Sequence, residues 1–565
     1  MSTLPAFGAC LHENSKRIET REDCGSWPST HQLLRLFNLF IDQLHNLKSS
    51  GVQCILLPIS SNGTLLPQLI SGSIFLTFDV SWHSPLSTSH NTLSATLIQL
   101  GVDSRQQFCL KSMPSMERLP LQYTVCVAHN VKAAHQEATQ QLSELSRELP
   151  NMKTLWLPFW KFLTNVDTGP KMERELRTFS NRLKRHQLGE GVISLNEHST
   201  NLLSEMDHDY LNSRKRGMSK RLTRDLPLVK LLNISITLSP FLGVDTTQFH
   251  TSLTDGTEDY WLSLPSATQG KLIPVMSQWR GKFCVKLNLT NPVAVSWFLD
   301  RVESLQAHLG MEYIVLDGGE GNLFEEQALR PPLALSGDKY IELLADLATT
   351  IGDSTIMTAG TRSSHKPVFV KMAPLQSDWS LMGLKAIIPS LLHHALVGYN
   401  FLIPDAVGGS LSGDLVTDRE LFIRWLEIAA FLPVISFHTP PWVFGQDQVL
   451  NLTWIYITKH QRDVVPLIEK YAEEWQLTGN PIYRPLWWLS PSDPVTFTTD
   501  DQFLIGDEVL VAPVLEKGAV QRDIYLPDGG FQWQDSRSEQ VFDGGTFLQD
   551  YPVPLEEVAV FLRRS

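Results

Sequence analysis

From residue 154 to residue 405 the chain alternates short apolar runs with amphipathic helical patterns, and this rhythm constrains its fold more than any other feature. The apolar runs are TLWLPFW, GVISLN, LLNISITLSP, CVKLNLT, YIVLDGG, TIMTAGT, PVFVKM and YNFLIPD; most are separated by stretches such as GPKMERELRTFSNRLKRH, PVAVSWFLDRVESLQAHL and DKYIELLADLATTIG. Short apolar runs suit strands covered on both faces, and apolar positions three and four apart suit helices that cover them. Eight such strands alternating with helices over about 300 residues predict an α/β fold, a (β/α)₈ TIM barrel, with its chemistry at the C-terminal ends of the strands.

The flanks read differently. Up to about residue 150 the chain is rich in Ser, Thr and short apolar runs such as SIFLTFDVSW and LQYTVCVA, which predict small β units, with one helix near residues 31–48 and a last helix over AAHQEATQQLSELSREL. From about residue 480 the helical period stops, and QFLIGDEVLVAPVLEKGAVQRDIYLPDGGFQWQDS reads as strands with Gly and Pro turns, a β-sandwich. The expected organisation is an N-terminal β-rich region over 1–150, a barrel over 151–480 and a C-terminal sandwich over 481–565.

Composition narrows the function classes. Of the 565 residues 42% are hydrophobic and 19% charged, which permits a large core and excludes disorder. The formal charge of −13 argues against nucleic acid as a partner. No run of eighteen apolar residues is present, so no membrane span is expected in this chain, and the N-terminus lacks the layout of a secretory signal. Five cysteines precede residue 127 and Cys284 stands alone; none has zinc spacing. There is no Gly-rich phosphate loop and no nucleophile elbow, and no cofactor is implied. The basic run Asn212–Arg224 reads as a solvated loop after the second strand, and His393 and His394 as packed side chains of an apolar helix. N-x-S/T triplets begin at Asn62, Asn233, Asn288 and Asn451.

Two strand ends carry carboxylates. The fifth predicted strand ends in VLDGGEG, which places Asp317 at the mouth, Gly318 and Gly319 where backbone can approach a ligand, and Glu320 one turn further. The eighth ends in IPDAVGG, placing Asp405 likewise. Each motif also suits a plain turn or loop cap.

The run from Tyr399 to Pro441, YNFLIPDAVGGSLSGDLVTDRELFIRWLEIAAFLPVISFHTPP, resembles the D-x-GG, E-L-x-x-R-W, G/A-F-x-P signature of glycoside hydrolase family 31, the α-glucosidase family. The block RPLWWLSPSDP followed by QFLIGDEVLVAPVLEKGAVQRDIYLPDG is similar to that family's passage into its C-terminal sandwich. With SPFLGVD, LNLTNP and LDGGE, the resemblance covers roughly residues 150–565, and residues 1–80 match poorly. It implies retaining hydrolysis of α-glycosides by a carboxylate nucleophile and a protonated carboxylic acid. The nucleophile position falls on Asp317. The acid/base is expected after the seventh predicted strand, in FVKMAPLQSDWSLMGLK, where Pro374 occupies the aspartate's position and Asp378, beside Trp379, is the substitute candidate.

Other positions depart from the family pattern. Asn196 and Glu197 stand in place of an aspartate pair that holds substrate hydroxyls. Trp279 is followed by the bulky cation Arg280, Ser436 replaces an arginine although His438 is kept, and Asn288 replaces a carboxylate. Arg362 and Lys371, at the sixth and seventh predicted strands, complete the ligand-binding candidates. Trp279, Trp379, Trp425 and Trp442 belong to motifs at or near the expected mouth, where indole faces suit sugar rings. The expected partner is a carbohydrate or an anionic small ligand. The preferred reading is a glycosidase fold that binds with reduced or no turnover; the alternative is an active retaining exo-α-glycosidase acting on an α-galactoside or α-glucoside. The resemblance further implies a membrane-anchored branch with a lumenal or extracellular catalytic region.

Overall fold

The computed structural model describes residues 124–141, 146–166, 168–197, 233–254, 258–265, 272–279, 282–309, 311–318, 339–358, 360, 363–410, 418–445 and 447–564, together with short strands within 9–112. Eight parallel strands form one sheet: Phe159–Phe162, Val192–Leu195, Asn233–Leu238, Tyr313–Leu316, Thr355–Met357, Phe369–Lys371, Leu402–Ile403 and Ser436–Phe437. They lie in the order seven, six, five, four, three, two, one, eight. Val407, just past the seventh strand, bridges Phe437 in parallel, and its N–H donates to the Ser436 carbonyl at 2.7 Å. That bridge brings the two ends of the sheet together, as barrel closure requires.

Burial explains why these segments form strands and helices. Val192, Ile193, Leu195, Ile236, Ile314 and Leu316 are all fully buried, which is why their segments read as continuous apolar runs. The helix Gly169–Arg185 buries Met172, Leu176, Ser180 and Leu183 along one stripe. It starts with Pro near its N-terminus and carries Arg182, Lys184 and Arg185 in its last turn, where cations complement the helix dipole.

One predicted barrel strand is something else. Within CVKLNLT, the strand Lys282–Lys286 pairs antiparallel with Met276–Trp279 and with Phe241–Gly243, in a side sheet that follows the third barrel strand. Cys284, Val285, Lys286 and Leu287 are buried, so this run has the apolar character of a barrel strand without being one. The true eighth strand, Ser436–Phe437, is two residues long and sits in the continuously buried stretch 421–437, which hides its period. Asp317 therefore follows the fourth barrel strand, Lys371 ends the sixth, and Asp405 follows the seventh.

The C-terminal part is built from two sheets. Six strands between Tyr483 and Arg564 form one, and Gln521–Leu526 pairs with Thr546–Pro552 in the other. Ile524 and Leu526 from the smaller sheet share a core with Leu510, Trp533 and Phe561 from the larger, the arrangement of a sandwich. Arg424, on the helix Arg419–Ala429, fastens this part to the barrel. Its fully buried guanidinium donates to the carbonyls of Ala519, Val553, Pro554 and Glu557 at 2.9–3.2 Å and to Glu427 at 3.0 Å. Earlier in the chain, Ser73–Thr77 pairs antiparallel with Thr124–Ala128, and the helix Val131–Gln141 packs Val131 against Trp487 and Trp488. Among the described residues no helix is long and apolar enough to cross a membrane.

Candidate active site at the barrel mouth

The end of the fourth strand is fixed by its neighbour: the Asp317 N–H donates to the Leu238 carbonyl at 2.9 Å, and the Asp317 carboxylate accepts the Gly318 N–H at 3.0 Å. Gly318 has φ +82°, and a Cβ there would lie 2.8 Å from the Phe241 ring and 3.1 Å from Trp279. Only glycine fits both the backbone and the space. The covering rings are stacked, with centroids 4.7 Å apart and planes 14° from parallel.

Glu197 orients that platform from the end of the second strand. One carboxylate oxygen accepts the Trp279 indole N–H at 2.8 Å and the other accepts the Ser239 hydroxyl at 2.5 Å. The buried Lys286 ammonium lies 4.8 Å from the Phe241 centroid and 4.1 Å from that of Tyr340, a cation held on two ring faces. Burial pulls the Arg301 guanidinium below its usual range, and the nearby Glu197 charge opposes the shift. Burial pushes the Cys284 thiol up to about 12, with Glu197 adding to the rise and Lys286 opposing it. The thiol is thus fully protonated and donates to the Ser277 carbonyl.

The opposite part of the mouth is organised by Asp405, whose carboxylate is buried. One oxygen accepts the Lys161 ammonium at 2.9 Å; the other accepts the Leu375 N–H and the Ser410 hydroxyl, each at 2.9 Å. Burial alone would raise this carboxyl, but the Lys161 charge and the donated hydrogen bonds outweigh it and hold the group below the ordinary carboxylate range. His438, half-buried, is held below its ordinary range by burial and then by Lys161, with Asp405 opposing.

Asp378 sits in a tight loop. Its N–H donates to Gln376 at 2.9 Å, its carbonyl accepts from Leu384 at 3.0 Å, and its carboxylate accepts the Ser380 N–H at 2.9 Å. Gly383 is pressed against it, since a Cβ there would come within 2.3 Å of Asp378 oxygens. Pro374, at the position expected for the acid, is exposed. The Trp379 indole N–H is buried without a hydrogen-bond partner among the described residues, a donor available to a ligand.

The remaining candidates divide. Asn196 and Lys371 stand, partly buried, at the ends of the second and sixth strands. Asn288 caps its own turn, accepting the Thr290 N–H at 3.1 Å. Trp425, on the helix Arg419–Ala429, is 1% exposed and packs in the main hydrophobic core, so its ring face is not open to a ligand. His393 and His394 lie in the helix Ile387–Leu396, with the His394 ring bonded to the Ser390 carbonyl. Gly319, Arg280, Glu320, Arg362 and the basic run 212–224 lie outside the described residues.

Four residues of this geometry were missed by sequence reasoning. Ser239 and Phe241 lie in SPFLGVD, whose position after a strand was their only signal. Lys161 and Lys286 are single cations closing apolar runs, FWK and CVK, and a lysine there reads as the strand reaching solvent.

A parallel barrel with a carboxylate-bearing mouth, joined to a C-terminal sandwich, defines a glycosidase-type fold. Residues 479–565 match the glycosyl hydrolase family 31 C-terminal domain. The chain is 49% identical over 468 residues to the SITS-binding protein of Tetronarce californica, covering 83% of this chain and 66% of that protein. It is 28% identical over 452 residues to the mouse (Mus musculus) myogenesis-regulating glycosidase, covering 78% and 61%. It thus spans about two thirds of the length of these curated relatives. A family 31 dextranase of Flavobacterium johnsoniae complexed with glucose superposes with a TM-score of 0.66 at 18% identity, covering 87% of this chain and 59% of that one. A family 31 α-xylosidase from a soil metagenome, complexed with xylose, gives 0.63 at 18%, covering 88% and 72%. The chain is a member of glycoside hydrolase family 31.

Proposed function

We propose that this chain holds a carbohydrate or anionic ligand at the barrel mouth with reduced or no turnover, because among the described residues no carboxylic acid is presented where a leaving group would need its proton. Retaining hydrolysis uses two carboxyl groups about 5–5.5 Å apart, one ionised to attack and one protonated to donate. Asp317 stands at the position for the first role. The observation that carries the reading is the loop after the sixth strand: Pro374 has no proton to give, and the Asp378 carboxylate is turned onto its own loop at Ser380. Asp405 offers no substitute, since Lys161, Leu375 and Ser410 occupy its oxygens and keep it ionised. Loss of a general acid slows such a reaction by roughly 10²–10⁴-fold.

Several groups equip the same mouth for binding. The Trp279 and Phe241 pair beside Asp317 offers an aromatic face, and Trp379 offers a buried N–H. A relative at 49% identity is named for binding SITS, and one at 28% is named a glycosidase. The second name, with Asp317 kept, favours the other reading, an active retaining exo-α-glycosidase. Calorimetric titration with glucose, galactose and xylose, followed by prolonged incubation with α-linked disaccharides of the same sugars, separates the two. Saturable binding with little or no released monosaccharide is the expected result, and release as fast as that of an active α-glycosidase assayed alongside would overturn the proposal.

A further inference from the structure

Beside the mouth, a groove of about 730 Å³ runs between the helix Gly169–Arg185 and the segment that follows the eighth strand. Lys171, Arg174 and Arg182 line its helical side. Their spacing of three and then eight residues keeps them on one face, next to the buried stripe of Met172, Leu176 and Leu183. Among the described residues the only acidic one lining the groove is Glu175, and it already accepts the Thr164 hydroxyl. Arg177 on the same helix is paired with Glu173, whereas neither Arg174 nor Arg182 meets a carboxylate among the described residues. This groove is therefore cationic on a chain whose formal charge is −13.

The facing wall is aromatic and held in place. Trp442 stacks on His186 at 5.4 Å and 15°, and meets Phe179 edge-on at 5.7 Å. Lys161 and His438 line the inner end of the groove, and Lys161 also binds Asp405, so the groove opens directly onto the mouth.

We propose that this groove binds an acidic oligosaccharide, with sulfate or carboxylate groups on the Lys171, Arg174 and Arg182 row and sugar faces against the Trp442 wall. The choice of a saccharide rests on the reading of the mouth given above; the choice of an acidic one rests on the groove alone. Guanidinium groups bind sulfate and carboxylate through paired hydrogen bonds, and indole walls suit the apolar faces of sugar rings.

The test is titration of the purified chain with heparin hexasaccharide, hyaluronan hexasaccharide and neutral maltohexaose, at low and at moderate salt. Measurements on the R174Q/R182Q double variant and on D317N complete the set. Arg174 and Arg182 are exposed, so the double variant should melt at the same temperature as the parent. The acidic sugars are expected to bind the parent, to weaken as salt rises, to bind the double variant about tenfold more weakly, and to bind D317N unchanged. Binding of only one acidic sugar supports the groove and identifies the acidic group it takes. Equal affinity in the double variant, or maltohexaose binding as tightly as the acidic sugars, would overturn the groove. Loss of binding in D317N alone would also overturn it, while leaving the mouth reading intact.

Discussion

Lys161, on the first barrel strand, and Asp405, just past the seventh, form a 2.9 Å ion pair whose carboxylate is buried. The pair spans the eighth strand between them, while the other Asp405 oxygen accepts the Leu375 N–H and the Ser410 hydroxyl.

Breaking this pair from one side should be costly. Lys161→Met leaves a buried charge without its counterion and is expected to lower unfolding free energy by ~3–5 kcal/mol, measured by chemical denaturation at pH 7. Lys161→Met combined with Asp405→Leu should recover most of that loss. The folded Asp405 pKa lies below its unfolded value, so its contribution is present above the unfolded pKa of about 3.9 and is lost as pH falls through the folded one. The single variant should therefore lose the part of the acid-limb stability that Asp405 supplies in the parent.

Glu197 fixes the Trp279 indole. Glu197→Ala removes the acceptor of both Trp279 and Ser239, and should change the near-ultraviolet dichroism, lower stability by about 2 kcal/mol and weaken sugar binding. Glu197→Gln retains an oxygen acceptor and should show a smaller effect on each.

Gly318→Ala places a methyl group 2.8 Å from Phe241 on a backbone that disfavours it. A cost of about 1–3 kcal/mol in a thermal or denaturant melt is expected. Sugar affinity should fall as well, because the ring pair is displaced.

Trp379→Phe removes a buried N–H that has no partner. The unliganded protein should be as stable as the parent or more stable by up to ~1 kcal/mol, while ligand affinity falls. A loss of stability with unchanged affinity would contradict a ligand-facing role.

Legibility in the sequence followed the range of the interaction. The runs ending in LDGG and IPD announced themselves, because a carboxylate and glycines after an apolar run mark a strand end within a few residues. The short strand Ser436–Phe437 was hidden by the burial of everything around it, and Lys282–Lys286 imitated a barrel strand because burial, whatever its source, produces the same apolar run. The bond from Trp279 to Glu197 joins residues 82 apart, and that from Lys161 to Asp405 joins residues 244 apart. No local period reports such pairs. The sequence marked Asp378 as the carboxylate nearest the position expected for the acid; only the loop geometry shows that its carboxylate accepts the Ser380 N–H.

The most direct measurement compares hydrolysis of 4-nitrophenyl and methyl α-glucosides and α-galactosides, with and without azide, in the parent and in Asp317→Ala. An aryl leaving group needs little protonation, so a site with the nucleophile and without the acid should cleave only the aryl substrates, slowly. Azide should accelerate that cleavage, and Asp317→Ala should abolish it, with methyl glycosides slower by roughly 10²–10⁴-fold or inert. Cleavage of the methyl glycosides at the aryl rate, indifferent to azide, would show a working acid and contradict the account.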